Sequence, residues 1–246
     1  MKPVVFVGPT VDVRTALALL KAEYRSPARQ GDILRSVLDG VPAIGLIDGY
    51  FERVPSVWHK EILVALARGT HVYGSSSMGA LRASELHSFG MRGVGKVFQS
   101  YQEGRIEDDD EVAIQHAPPE LGYAPLSEAM VNIRATLTAA LEAKVIGAAL
   151  AASLTRIAKQ THYKNRSYEN LIRHGRENGL SIDCLSRFES WLGNGKVDQK
   201  RLDALELLKE MAKDQKRDFR VRSLPPVVVE RSLSCQTLLE SLGKRN

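Results

Sequence analysis

The chain has 246 residues, of which 43% are hydrophobic and 26% are charged, and its formal net charge is +5. This composition predicts a packed core and excludes a disordered chain, and no apolar stretch approaches the ~20 residues of a membrane-spanning helix. The two cysteines, Cys184 and Cys235, lie far apart and form no CxxC motif. We therefore expect a cytoplasmic protein with no disulfide framework and no membrane partner.

The first hundred residues alternate between strand-like and helix-like segments. Strands are predicted over residues 4–7, 43–47 and 71–73, and helices over 11–24, 32–38, 56–68 (with Ser56 as N-cap) and 78–87. This rhythm predicts βαβ units and a parallel sheet. Sites in such sheets gather at the carboxyl ends of the strands, which here are residues 8–10, 48–51 and 74–77.

Beyond about residue 115 the sequence becomes helical and basic. The segment His116-Ala117-Pro118-Pro119 is a natural boundary, so we expect an α/β domain over 4–117 and a helical, basic region over 118–246. Helices are predicted over 126–152 and 202–214, with polar turns between them and a frayed end after Arg220. Because no nucleic-acid-binding module is visible, we expect no nucleic-acid partner. The fold class is α/β, with an N-terminal parallel-sheet βαβ domain and a mostly helical C-terminal half.

The segment from Gly74 to Gly79 contains the most informative pattern. A predicted strand passes through small residues directly into a helix, and a serine at such a turn lies beside backbone N–H groups that can stabilise an oxyanion. Ser77-Met78-Gly79 supplies the second half of a G-x-S-x-G elbow, while Ser75 stands where the first glycine belongs. Ser77 is therefore the candidate nucleophile, with Ser75 and Ser76 as substitutes. The alternative is that these serines cap the helix and bind a small anion such as phosphate.

A serine nucleophile needs a base, and His59 is the best-placed histidine. It begins a predicted helix that follows the Asp48-Gly49 loop. Asp48 is the first choice to orient His59, and Glu61 is the second. On the helix after the turn, Arg82 either binds a substrate carboxylate or pairs with Glu85.

The other motifs give no metal or cofactor site. The acidic run over residues 107–111 lacks the glycine turn and the spacing of an EF-hand, so a solvated helix start is the better interpretation. Residues 93–95 are too short for a dinucleotide fingerprint, and residues 8–10 are not a P-loop. We expect no metal and no cofactor.

Taken in order, the motifs resemble the TfuA-like family over roughly residues 4–136. The segments that resemble it are VFVGPT (5–10), Pro27 with Gly31-Asp32, IDGYF (47–51), WHKEIL (58–63), GSSSMGALRASEL (74–86), FGM (89–91), GVG (93–95), DDDEVA (108–113) and LSEAMVNIR (126–134).

The resemblance implies a role beside a YcaO enzyme, which uses ATP to activate a backbone amide of a ribosomal peptide or protein. With a TfuA-like partner the product is a backbone thioamide. The TfuA-like protein is expected to supply sulfur by hydrolysing the C-terminal thiocarboxylate of a ubiquitin-fold, ThiS-like sulfur carrier. A precursor peptide is a further possible partner.

In that chemistry Ser77 attacks the thiocarboxylate carbon, and the oxyanion is held by the Met78 N–H and a donor from the Gly8 or Gly49 loop. The turn is shaped by Gly74, Ser76 and Gly79, and the expected substrate contacts are Thr10, Tyr50, Arg82 and Glu85. Two alternatives stay open. One is a non-catalytic docking or allosteric partner of YcaO, and the other is a hydrolase of small acyl substrates.

Overall fold

The structure, a computed structural model, describes residues 1–52 and 54–219. These residues fold as two compact units. The first contains Met1–Ile106 together with the described residues from Arg201 onward, and the second is Glu107–Lys200. The sequence predicts other domain boundaries, namely residues 4–117 and 118–246, and this division stays a prediction.

A five-stranded parallel sheet is the centre of the first unit. Its strands lie in the order β2-β1-β3-β4-β5, and every neighbouring pair is parallel. The strands are β1 (Val4–Phe6), β2 (Glu23–Arg25), β3 (Ala43–Leu46), β4 (His71–Ser75) and β5 (Arg92–Val94). The predicted α/β class is confirmed. The sequence missed β2, which occupies the end of the predicted helix 11–24, and it missed β5.

Helices cover both faces of this sheet. They are α1 (Val13–Leu19), α2 (Asp32–Leu38), α3 (His59–Ala67), α4 (Met78–Leu86), α5 (Lys96–Gln102) and α10 (Gln199–Gln215). Because side chains alternate along a strand, Val4 and Phe6 pack with α2, α3 and α4 on one face, while Val5 packs with α1 and α10 on the other. Strands β1 and β3 are therefore buried along their whole length, as expected for strands covered on both faces.

The last described helix, α10, is held to the sheet by polar contacts as well as by its apolar face. Asp214 accepts a hydrogen bond of 2.7 Å from the Tyr73 hydroxyl and pairs with Arg92. Asp203 accepts the Val97 N–H at 2.7 Å. Burial, together with the bond to Asp214, raises the pKa of Tyr73. A helix that is distant in sequence thus completes the α/β unit.

The second unit is built from α6 (Met130–Glu142), α7 (Ala148–Gln160), α8 (Tyr168–Glu177) and α9 (Ile182–Gly195) around one apolar core. This confirms the predicted mostly helical C-terminal half. The stretch expected to be polar turns contains α8 and α9, and Gly193 and Gly195 lie in the last turns of α9. The frayed end predicted after Arg220 lies outside the described residues. Within the described residues, no helix combines the length and the apolarity needed to cross a bilayer.

The acidic run begins the second unit and is not a solvated helix start throughout. Residues Asp109–Glu111 form a short 3-10 helix, and Glu111 is buried. Glu111 accepts two hydrogen bonds from Arg134, at 2.9 and 2.8 Å, and lies 3.0 Å from the Lys159 amine. The run therefore anchors the helices of this unit through ion pairs.

Candidate functional site

The candidate site lies where the strand order reverses, between β1 and β3, which is where parallel α/β sheets bind ligands. Asp48 follows β3 and is only 2% exposed. Its carboxylate accepts the Gly8 N–H at 2.9 Å, the Thr10 N–H at 3.2 Å and the Thr10 hydroxyl at 2.6 Å. The structure thus brings these three predicted residues together. Asp48 fixes the loop after β1.

The turn from β4 to α4 is tight because backbone lies against backbone. A Cβ added at Gly74 would lie 2.1 Å from the Gly79 carbonyl oxygen, and one added at Gly79 would lie 1.7 Å from the Leu46 carbonyl oxygen. The Gly79 N–H also donates to the Ile47 carbonyl at 3.3 Å. The first turn of α4 is therefore in direct contact with β3 and β4, and no side chain fits at either glycine.

Beside these glycines, the Met78 side chain covers Gly49, where an added Cβ would lie 2.8 Å from Met78 Cγ. The predicted contact residue Tyr50 is partly exposed at the end of β3, and its N–H donates to the Ala28 carbonyl at 3.0 Å. The loops after β3 and β4 are therefore packed together at this edge of the sheet.

The three serines of the turn have different conformations. Ser76 has φ of +72°, and the Ser77 N–H donates to the Ser75 carbonyl at 2.8 Å. A hydrogen bond across two residues with a positive φ between them is a γ-turn of the rare, strained kind. Ser77 occupies the N-cap position of α4 with φ −118° and ψ −124°, but its side chain makes no capping hydrogen bond.

Two polar groups at the turn have no hydrogen-bond partner in the part of the chain that the structure describes. The Ser75 hydroxyl is completely buried and has no hydrogen-bond partner among the described residues. The Met78 N–H also makes no hydrogen bond to any described residue. It lies at the start of α4, where the helix dipole is positive. The turn can therefore receive a polar, negatively charged group of a ligand.

His59, the first residue of α3, contacts α4 at a point away from the turn. Its Nε2 is 2.8 Å from Glu85 Oε2, and Arg82 donates to the same oxygen at 2.8 Å. Glu85 follows Met78 by seven residues, or about 10 Å along the helix at 1.5 Å per residue. Among the described residues no hydrogen bond joins His59 to Ser77 or to Asp48. The structure thus groups His59 with Arg82 and Glu85, and it groups Asp48 with the loop after β1.

Glu61, the second choice to orient His59, instead binds backbone N–H groups. Glu61 is buried and accepts the N–H groups of Gly31 at 2.8 Å and Trp58 at 3.2 Å. Burial raises the pKa of Glu61 despite these bonds. Because α3 begins at His59 with Trp58 as its N-cap, the prediction of Ser56 as N-cap is wrong.

One family model matches the chain, over residues 48–167, and its description is TfuA-like protein. Over these residues the chain is similar to the TfuA-like family. The match covers just under half of the chain and includes Asp48, the serine turn and the acidic run. It extends beyond the predicted limit at residue 136, while the resemblance of residues 4–47 stays a prediction. No curated protein matches the chain.

Proposed function

We propose that this TfuA-like protein acts beside a YcaO enzyme in backbone thioamidation and releases sulfide from the C-terminal thiocarboxylate of a ubiquitin-fold, ThiS-like sulfur carrier. The family match supports the association with YcaO chemistry. The observation that supports hydrolysis is the serine turn, where hydroxyl groups adjoin the unsatisfied Met78 N–H at the start of α4. A thiocarboxylate is anionic, and the start of a helix favours a negative charge.

The proposed reaction has two steps. A serine oxygen of the turn bonds to the thiocarboxylate carbon and the carbon–sulfur bond breaks, so that the sulfur leaves as hydrosulfide with the serine proton and an ester remains. Water then cleaves the ester, restores the serine and releases the carrier carboxylate and a proton. The Met78 N–H stabilises the oxyanion in both steps.

His59 is not placed to take the serine proton, because its imidazole is bonded to Glu85. In the proposed reaction the departing sulfur takes this proton and becomes hydrosulfide, so the first step needs no imidazole. Arg82 and Glu85 then belong to the surface that receives the carrier or YcaO. Arg82 is mostly buried, and its Nε donates to the Val57 carbonyl at 3.0 Å. These contacts restrict the movement of its guanidinium group toward a substrate carboxylate.

The test is sulfide release from a thiocarboxylated ThiS-like carrier by the purified protein. A double variant, Ser76→Ala with Ser77→Ala, is expected to lose at least about 100-fold in rate, because removing a nucleophile removes the covalent route. The matched control is Ser84→Ala, the same substitution further along α4, where the hydroxyl donates to the Leu81 carbonyl at 2.7 Å. No sulfide from the parent protein, with or without a YcaO enzyme, would rule out the hydrolytic function.

The second candidate is a docking or allosteric partner that stimulates YcaO without chemistry of its own. The position of His59 favours it, because the predicted base is directed to Glu85 rather than to the turn. In that case both the parent and the double serine variant would stimulate thioamidation of a precursor peptide equally. Glu85→Ala, which separates His59 and Arg82, would then weaken the stimulation.

A further inference from the structure

The backbone strain of the serine turn is concentrated at Ser76. Its φ of +72° lies in the left-handed region that non-glycine residues seldom adopt. The short bond from the Ser77 N–H to the Ser75 carbonyl holds it there. Glycine would adopt this conformation without strain, yet the chain has a serine. Strain of this kind persists where the surrounding structure enforces it, and it is concentrated at functional sites.

We infer that Ser76, and not Ser77, is the nucleophile of the turn; this rests on the proposed hydrolysis. Elbow nucleophiles lie at the sharp, strained residue between strand and helix. In this chain that residue is Ser76. The sequence agrees in one respect, since Gly74 stands two residues before Ser76 and supplies the first half of the elbow pattern that Ser77 lacks.

The neighbours of Ser76 support the assignment. Leu46 and Gly74 form the last residue pair between β3 and β4, and Asp48 and Ser76 each lie two residues beyond this pair. Both are buried and lie at the same edge of the sheet, next to the loop that Asp48 fixes. The buried Ser75 hydroxyl, which is the only unpartnered buried side-chain atom in the described part of the chain, adjoins Ser76. A bound polar tail would satisfy it.

The donor for the oxyanion also follows from this geometry. The Ser77 N–H, the usual donor after an elbow nucleophile, is occupied by the Ser75 carbonyl at 2.8 Å. The next N–H along the chain is that of Met78, which makes no hydrogen bond among the described residues. The Ser76 oxygen forms the ester, the sulfur leaves as hydrosulfide with the Ser76 proton, and the Met78 N–H binds the oxyanion.

The deciding experiment locates the acyl group. The full-length protein is mixed with thiocarboxylated carrier, quenched in acid within the first turnovers and digested, and the carrier tail is located by fragment-ion mass spectrometry. The inference expects an ester on Ser76. An ester on Ser77 would overturn the inference and leave the hydrolytic function intact, whereas no sulfide release by the parent would overturn both.

Substitutions test the same point with a stability readout. Ser76→Gly removes the hydroxyl and relieves the positive φ, so it should raise Tm while sulfide release falls at least about 100-fold. Ser77→Gly is the matched variant, and it should lower release by less than about tenfold. If Ser76→Gly, shown to be folded by its Tm, kept the parent rate, the assignment would be wrong.

Discussion

At the scale of single residues, Gly79 shows why the turn has its sequence. Its backbone needs no special φ, but a Cβ there would lie 1.7 Å from the Leu46 carbonyl oxygen and 2.6 Å from the carbonyl carbon. Since both are backbone atoms of the central strand, they cannot rotate away. We therefore expect Gly79→Ala to lower the free energy of unfolding by about 3 kcal/mol, the upper end of the cost of overpacking.

The measurement is urea unfolding followed by the fluorescence of Trp58, in a Trp191→Phe background so that only the first unit is observed. The matched control is Gly193→Ala, followed through Trp191 in a Trp58→Phe background. Nothing lies within 4 Å of a Cβ at Gly193, which is in α9, so alanine should stabilise the second unit by about 0.5–1 kcal/mol. Equal effects of the two substitutions would contradict this account of the turn.

The sequence could predict the residues of the turn but not their individual roles. Small residues between a strand and a helix indicate a close approach, and the paired Gly74 and Gly79 are its physical cause. Three consecutive serines, however, have the same side chain, and only the backbone shows that Ser76 has the positive φ. The partner of His59 was also beyond prediction, because Glu85 is 26 residues away on another helix.

At the scale of elements, the acidic run and the buried Arg166 form the main polar support of the second unit. Arg166 is 2% exposed; it donates to the Ala158 and Thr161 carbonyls, each at 3.0 Å, and pairs with Asp110. Removing one partner of a buried ion pair leaves the other charge uncompensated. Asp110→Asn should therefore lower the free energy of unfolding of the second unit by about 3 kcal/mol at pH 7.

The same contact predicts a pH dependence. Burial disfavours the charged form of Asp110, but hydrogen bonds from Lys159 and Arg166 outweigh burial and lower its pKa below 3.8. The folded state then binds fewer protons than the unfolded state, so this contribution is complete above pH 3.8 and is lost as the pH falls through the lowered pKa. Urea unfolding of the parent should show stability decreasing below about pH 4.

The control for the acidic run is Asp109→Asn, because Asp109 is exposed and makes no ion pair among the described residues. This variant should keep the acid dependence of the parent, while Asp110→Asn should lose part of it. If the two variants had the same pH profile, the ion pair would not be the cause. The charge pattern alone could not distinguish the two residues, since the run is acidic throughout.

The two strands that the sequence analysis missed are short and contain charged residues. Strands β2 and β5 have three residues each, and Glu23, Arg25 and Arg92 give them no apolar pattern. Helices α8 and α9 were also not predicted, because polar residues on their outer faces alternate with buried residues such as Leu171 and Phe188. For α2, whose apolar residues Ile33, Leu34 and Val37 are buried, the predicted bounds coincided with the helix. Short edge strands are fixed by the pairing of neighbours rather than by their own residues.

At the scale of the whole molecule, the chain order does not follow the structural units. The sequence changes character near residue 115, yet α10 returns to the sheet after the helical unit and packs on β1 and β4 with Leu207 and Met211. A pattern that repeats every few residues predicts that α10 is a helix. It contains no information on which unit the apolar face of α10 covers, because that contact joins residues about 200 positions apart.

This placement of α10 predicts that one leucine supports the sheet while a neighbour on the same helix does not. Leu207 is completely buried in the core that contains Val5, whereas Leu202 is 53% exposed. Leu207→Ala should cost about 2–5 kcal/mol in the first unit, read by Trp58 fluorescence and by faster hydrogen exchange at the β1 amides. Leu202→Ala should change both by little. If Leu207→Ala instead destabilised only the unit that contains Trp191, α10 would belong to the helical unit, and the sheet would be stable without it.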